Sequence, residues 1–221
     1  MFGYAVANQT YDPPPTITTH DLQQPPFKKQ MKYRRANIQG GCYFFTVVTE
    51  RRRNIFADET NIILLRQAFR HVMNKYPFTI DAMVVLPDHL HCIWTLPTDD
   101  ADFSTRWRLI KTWFTKHCDD KYKLKPNISR IKKKQQAIWQ HRYWEHLIRD
   151  DIDFEHHVDY IHYNPVKHQY VTKPSDWTYS SIHQYIERGI ISSDWGQSFY
   201  LVPKLQFENA YSQAPFEKKP I

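Results

Sequence analysis

Sulfur is scarce in this chain. Its three cysteines, Cys42, Cys92 and Cys118, are too few for a disulfide framework and too scattered for a cysteine-based zinc knuckle, which points to a reducing cytoplasm. Long hydrophobic runs are also missing, so no bilayer span is expected, and Met1 to Gln30 lacks the basic start and apolar middle of a signal peptide. There are only five glycines, and no Gly-rich loop of the kind that cradles nucleotide phosphates. Acid is in deficit: 23 Asp and Glu face 30 Lys and Arg, a formal charge of +7. Such a balance favours polyanionic partners, nucleic acid first. A basic protein without such a partner has the same total charge, and only the placement of charge beside aromatic residues separates the two.

What is present suits one core with extensions at both ends. Residues 1–30 carry Asp12-Pro13-Pro14-Pro15 and Gln23-Gln24-Pro25-Pro26 with little to bury, and read as a flexible extension. A basic, aromatic entry follows, with Tyr33, Arg34 and Arg35, and Gly40-Gly41 punctuates it before a strand over Cys42–Thr49. Arg51-Arg52-Arg53 at the end of that strand is either a solvated turn or a grip on phosphates. Ile62, Leu65, Phe69, Val72 and Tyr76 recur at helical spacing over Thr60–Tyr76, and Pro77 closes the pattern. Strands over Phe78–Leu86 and His89–Leu96 flank the Pro87-Asp88 turn. Phe103–His117 reads as an amphipathic helix with Arg106, Arg108 and Lys111 as a basic flank. A Lys-rich insertion over about 119–136 is expected to be mobile. A strand ending near Ile148 and a helix over Ile152–Asn164, capped by Asp150-Asp151 and stopped at Pro165, complete the pattern. The order strand, helix, strand, strand, helix, strand, helix is a split βαβ arrangement with one additional helix. It predicts an α+β fold: an antiparallel sheet of about four strands with helices packed on one face.

The stretch around Leu86-Pro87-Asp88-His89-Leu90-His91 is where chemistry is most legible. An extended backbone sends alternate side chains to opposite faces, so His89 and His91 share one face. Two imidazoles on one face are half of a metal site, or partly buried polar residues at the start of a strand. On the last helix Tyr160 and Asn164 are four residues apart and stack on one side, with His156 a further turn back on the same line. Read alone, Tyr160 is a surface tyrosine and Asn164 a helix-stop residue.

Leu86–Pro97, Arg142-Tyr143-Trp144-Glu145-His146 and Val158–His168, three separated motifs in order, together closely resemble the REP-associated tyrosine transposases. These belong with the single-tyrosine, His-hydrophobe-His nucleases that act on single-stranded DNA. The resemblance runs from about Tyr33 to Trp195 and takes in Gly40-Gly41, Trp107-Arg108 and Asp176-Trp177. It implies a ferredoxin- or RRM-like nuclease core over 31–195, with 196–221 as a C-terminal tail and the tyrosine on the additional helix. It further implies that His89 and His91 bind a divalent cation with Leu90 at the hydrophobic position, that Tyr160 is the nucleophile, and that Asn164 supplies an amide as third ligand. Oxygen and imidazole donors suit Mg²⁺ or Mn²⁺. The expected function is metal-dependent cleavage and strand transfer at palindromic, REP-like DNA hairpins through a 5′-phosphotyrosine, in the cytoplasm at the nucleoid, with a monomer favoured. Candidate DNA contacts are Arg34, Arg35, Arg51, Arg52, Arg53, Arg106, Arg108, Lys111 and Lys167. Most aromatic residues belong to the core, with Tyr33 and Trp107 as candidates for base stacking. Two other classes fit parts of the pattern: a hairpin-binding protein that no longer cuts, and a metal hydrolase in which the histidines activate water.

Overall fold

Strand β1 (Cys42–Val48) is the hub, pairing antiparallel with β3 (His89–Thr95) on one side and with β4 (Trp144–Leu147) on the other. Strand β2 (Thr79–Val85) pairs antiparallel with β3 and completes a sheet of order β2-β3-β1-β4. The computed structural model describes residues 37–125, 128, 131 and 136–197. The N-terminal extension with Tyr33, Arg34 and Arg35, most of the Lys-rich insertion and nearly all of the C-terminal tail lie outside the described residues.

Strand alternation divides the core in two. Tyr43, Phe45 and Val47 of β1 and Leu90, Cys92 and Trp94 of β3 point to one face. Helix α1 (Glu59–Met73) covers that face with Ile62, Leu65, Phe69 and Val72, and α2 (Phe103–His117) adds Phe103, Trp107, Ile110 and Phe114. Aromatic stacking dominates this core: the Trp94 and Trp107 rings lie 4.3 Å apart and nearly parallel. Each such buried side chain contributes roughly 1.5–3 kcal/mol through the area it removes from water. Trp107 is therefore a core residue rather than a base-stacking platform, being only 1% exposed.

The other face carries Phe44, Ile93, Ala82 and Val84, and α3 (Asp151–Lys167) packs on it through Val158 and Ile161. With α1 and α2 on one side and α3 on the other, the central strands are buried on both faces. This explains why β3 is buried at every position from His89 to Trp94. Asp58, Asp102 and Asp150 each accept a backbone N–H at the start of α1, α2 and α3, giving each helix an N-cap. Helix α3 does not stop at Asn164 but continues through Pro165 to Lys167. The proline falls in the last turn, where one missing N–H is tolerated, and His168 N donates to Asn164 O beyond it.

A short helix, α4 (Ile182–Glu187), follows the segment that closes the outer edge of β2. There Val85 N donates to Tyr179 O at 2.9 Å and Ser181 N to Met83 O at 2.8 Å, so the Met83–Val85 part of the edge is paired. Gly40, at φ +67°, makes the turn into β1, and a Cβ on Gly41 would sit 2.7 Å from the Tyr43 ring. The start of the Lys-rich stretch is anchored: Tyr122 donates to Asp58 at 2.7 Å, and Leu124 bridges to Ala137. The cysteines are free thiols, and no helix among the described residues is long and apolar enough to cross a membrane.

Candidate metal and nucleophile site

Register places the two histidines. His89 lies opposite Val48 and His91 opposite Thr46 on β1, and both imidazoles point to the face covered by α3. Their ring centroids are 4.9 Å apart, and each residue is 3% exposed. The Nδ1 of His89 meets Asp88 Oδ1 at 2.5 Å, and the Nδ1 of His91 meets Thr46 Oγ1 at 2.8 Å. With both Nδ1 atoms engaged inside the protein, each ring offers Nε2 to a ligand. His91 Nε2 is buried with no hydrogen-bond partner.

Helix α3 brings the rest. Tyr160 is half-buried, and its ring lies 5.1 Å from His91 and 5.9 Å from Phe44, edge-on to both. Asn164, one turn on, is wholly buried; its amide makes no hydrogen bond of regular geometry, although it stands close enough to the Tyr160 phenol to favour the ionised form. The Tyr160–Asn164 side of α3 thus faces the sheet beside the apolar stripe. The next imidazole to reach the sheet is His157, 4.8 Å from Phe44, rather than the expected His156. A buried His91 Nε2 without a partner, beside an Asn164 amide oxygen with no regular hydrogen bond, is costly unless something fills the spot. Two imidazole nitrogens and an amide oxygen are a donor set that a divalent cation would satisfy, so the residues present fit such an ion.

Charge at the site follows from burial. Burial, then the neighbouring His89, pushes His91 well below the ordinary imidazole range and leaves a neutral lone-pair donor. Burial also pushes the Tyr160 phenol up from its ordinary value, with Asn164 and Arg52 partly opposing it. The Asp88 carboxyl is raised by burial, but the hydrogen bonds from His89 and Arg52 win and hold it at about 2.

The candidate DNA contacts divide sharply. Arg52 and Lys167 reach the site: the Arg52 guanidinium bonds Asp88 Oδ2 at 2.9 Å, and the Lys167 Nζ lies 5.2 Å from the Tyr160 ring centre. Arg51 is exposed beside them, whereas Arg53 is half-buried and donates to Ala137 O at 3.0 Å. Arg106, Arg108 and Lys111 belong to α2, across the sheet from Tyr160. Arg106 is not available to a phosphate: it is 1% exposed and donates to Asp102 O, Pro77 O and Asp100 Oδ2. Lys111 lies over the Trp139 and Tyr143 rings, and Arg108 is exposed.

Sequence reasoning missed Asp88, read only as a turn residue, and Thr46, whose role depends on register. It also missed a cluster beyond Phe44, where His146, Asp153 and His157 place ligand-type atoms within 4.8 Å of one another. Arg149 and His146 both bond Asp153 Oδ2 at 2.9 Å, so this carboxylate is already neutralised by protein groups.

Residues 37–164 match the family described as Transposase IS200 like, a span that takes in His89, His91, Tyr160 and Asn164. The chain belongs to the IS200-like transposase family, in its REP-associated tyrosine branch. It is 47% identical over 164 residues to the REP-associated tyrosine transposase of Escherichia coli, covering 74% of this chain and 90% of that one. A putative REP-associated tyrosine transposase of Haemophilus influenzae is 42% identical over 165 residues, 74% of this chain and 92% of that one. Among solved structures, a REP-associated tyrosine transposase bound to a REP hairpin superposes with a TM-score of 0.63 at 42% identity. It covers 78% of this chain and 96% of the other. The four-stranded antiparallel α+β fold is shared with this transposase, and the family match ends on the turn of α3 that carries Asn164.

Proposed function

We propose that this transposase cleaves and rejoins single-stranded DNA at hairpins of the repetitive extragenic palindrome type. Tyr160 is the nucleophile, and His89, His91 and Asn164 hold a divalent cation, Mg²⁺ or Mn²⁺. The observation that carries this reading is the meeting of Tyr160 with His91, 5.1 Å between ring centroids, beside a buried His91 Nε2 that has no hydrogen-bond partner and a buried Asn164 amide that makes no regular hydrogen bond. The hairpin substrate is supported by 42% identity to a transposase solved on a REP hairpin. In this reading the protein works in the cytoplasm, on the nucleoid, as a monomer.

His89, His91 and Asn164 would hold the cation, which would supply Lewis-acid stabilisation of charge developing on the scissile phosphate. The chain's own groups do the remainder. The Asp88 carboxylate accepts from His89 Nδ1 and so leaves Nε2 as that ring's lone pair, while Thr46 occupies Nδ1 of His91 and orients its ring. Tyr160, its phenol raised by burial, arrives neutral and gives up its proton as its oxygen forms a bond to phosphorus. The bond from phosphorus to the 3′ oxygen breaks as the new one forms, that oxygen takes up a proton in place of the one Tyr160 gave up, and the 5′ phosphate stays on the tyrosine. Because a phosphodiester is exchanged for a phosphodiester, the 3′ hydroxyl of a second strand reverses the step without a nucleotide cofactor. Arg52 and Lys167 flank the ring on the exposed side, where their charge suits the DNA backbone.

The test is a denaturing gel with hairpins labelled separately at the 5′ and 3′ ends, using wild type, Tyr160→Phe and Tyr163→Phe. Tyr163 is the control, since its ring packs near Trp195, 6.4 Å between centroids. Only the 3′-labelled fragment should remain on wild type and on Tyr163→Phe, and none on Tyr160→Phe. An adduct persisting in Tyr160→Phe would move the nucleophile elsewhere. Cleavage by wild type with no adduct would favour a water-activating hydrolase, and hairpin binding without cleavage a non-cutting binder.

A further inference from the structure

Arg51 and Arg52 sit side by side at φ 58° and 51°, a left-handed conformation that residues with a Cβ rarely adopt. Such backbone persists only where surrounding bonds hold it, and it gathers at functional sites. Here the bonds are visible. Thr49, wholly buried, has its hydroxyl between Arg53 O at 2.8 Å and Asp88 O at 2.9 Å, sharing one proton between them, while its N–H donates to Asp88 O at 2.9 Å. Arg52 N closes the turn on Thr49 O at 3.1 Å. The turn after β1 is thereby laced to the turn before β3, and its outcome is a single contact between Arg52 Nη1 and Asp88 Oδ2 at 2.9 Å. The other oxygen of the same carboxylate holds His89 Nδ1.

The geometry points to Arg52 as a positioning residue for metal capture: by pinning one oxygen of Asp88 it fixes the other on His89, and so aims the His89 Nε2 lone pair at the ion. This inference rests on the metal reading proposed above. It runs against simple electrostatics, which makes it sharp. A cation beside a dication site repels the ion, so charge alone predicts that Arg52→Ala binds metal more tightly; a positioning role predicts weaker binding.

The experiment measures Mn²⁺ affinity of the DNA-free protein by isothermal titration and by the Mn²⁺ electron-spin signal. It compares wild type, Arg52→Ala, Arg52→Lys, Asp88→Asn, the double variant Arg52→Ala with Asp88→Asn, and His89→Ala. The Arg52 side chain is 61% exposed, so its replacement leaves the core untouched. Loss of an outer-shell partner of a metal ligand typically changes affinity about 10–100-fold, and Arg52→Ala, one step further out, is expected to weaken Mn²⁺ binding about 10-fold. Arg52→Lys should recover part of the loss. The double variant should bind no more weakly than Asp88→Asn alone, because Arg52 acts through Asp88. Unchanged or tighter binding by Arg52→Ala, or losses that multiply in the double variant, would overturn the inference. Absence of Mn²⁺ binding by wild type, or full binding by His89→Ala, would instead remove the metal reading beneath it.

Discussion

Asn164 offers a test in which stability and function move in opposite directions. Its side chain is wholly buried, and its amide atoms make no hydrogen bond of regular geometry, only a close approach to the Tyr160 phenol. A buried polar group left unmade costs roughly 1–3 kcal/mol, and an apolar side chain of similar volume escapes that cost without opening a cavity. Asn164→Leu should therefore stabilise the metal-free protein by about 1–3 kcal/mol. For a domain of this size each kcal/mol moves Tm by about 2–4 °C, so the expected rise is about 2–12 °C. The same substitution removes the proposed amide ligand, so the stabilisation that Mn²⁺ gives wild type by mass action should shrink or vanish. Thermal melts in EDTA and then across a Mn²⁺ titration read both effects on one sample. A variant that melts below wild type in EDTA would show that the amide is satisfied in solution. One that keeps the full Mn²⁺ response would reduce Asn164 to a residue of the helix end.

The remaining expectations concern the clamp on α3 and the split among the basic residues. Burial raises the Asp153 carboxyl, but Arg149 and His146 outweigh it and hold the group below the ordinary carboxylate range. A depressed folded-state pKa gives stability that is present above the unfolded value of about 3.9 and is lost as pH falls. Asp153→Asn should thus cost about 1.5–3 kcal/mol at pH 7, the usual worth of a hydrogen bond to a charged group, and the gap in urea denaturation should narrow below about pH 4. A gap that stays constant into acid would detach it from the charge. Arg106→Ala should lower Tm while leaving the salt dependence of hairpin binding unchanged, because its guanidinium is spent inside the protein. Lys167→Ala should do the reverse, reducing the slope of log K against log[salt] by about 0.7–0.9, the share of one phosphate contact. Equal slopes for Lys167→Ala and wild type would place the DNA elsewhere.

Element identity was legible from periodicity because both core faces follow simple rules. Alternate residues of β1 and β3 fill opposite faces, and the apolar positions of α1 recur every three or four residues. Less legible was which face each helix takes, because Val158 and Ile161 of α3 and Ile62 and Leu65 of α1 are equally apolar stripes and only the topology tells them apart. The stop at Asn164 misled for a local reason: a proline in the final turn removes one donor where few bonds remain to be made. Charge misled at Arg106, whose spacing on α2 reads as solvated flank. Its partners are carbonyls at Pro77 and Asp102 and a carboxylate at Asp100, none of which announces itself in sequence. Thr46 and Asp88 were invisible as imidazole partners because the first depends on strand register and the second on a one-residue reach backwards from His89.

The position of Tyr160 has its own physical cause, which lies at the ends of its helix. At the N-terminus Asp153 is bound by Arg149 and by His146 of β4, one edge of the sheet. Towards the C-terminus His162 Nε2 meets Ser181 Oγ at 2.9 Å, and Ser181 N donates to Met83 O of β2, the opposite edge. A helix tied to both edges must cross the middle strands, and the residue between the ties falls over Phe44 of β1 and His91 of β3. The tyrosine is thus aimed by contacts that are not its own. In the reaction proposed above, a tyrosine held on a rigid element tied at both ends arrives oriented, which is the part of the barrier that positioning alone removes.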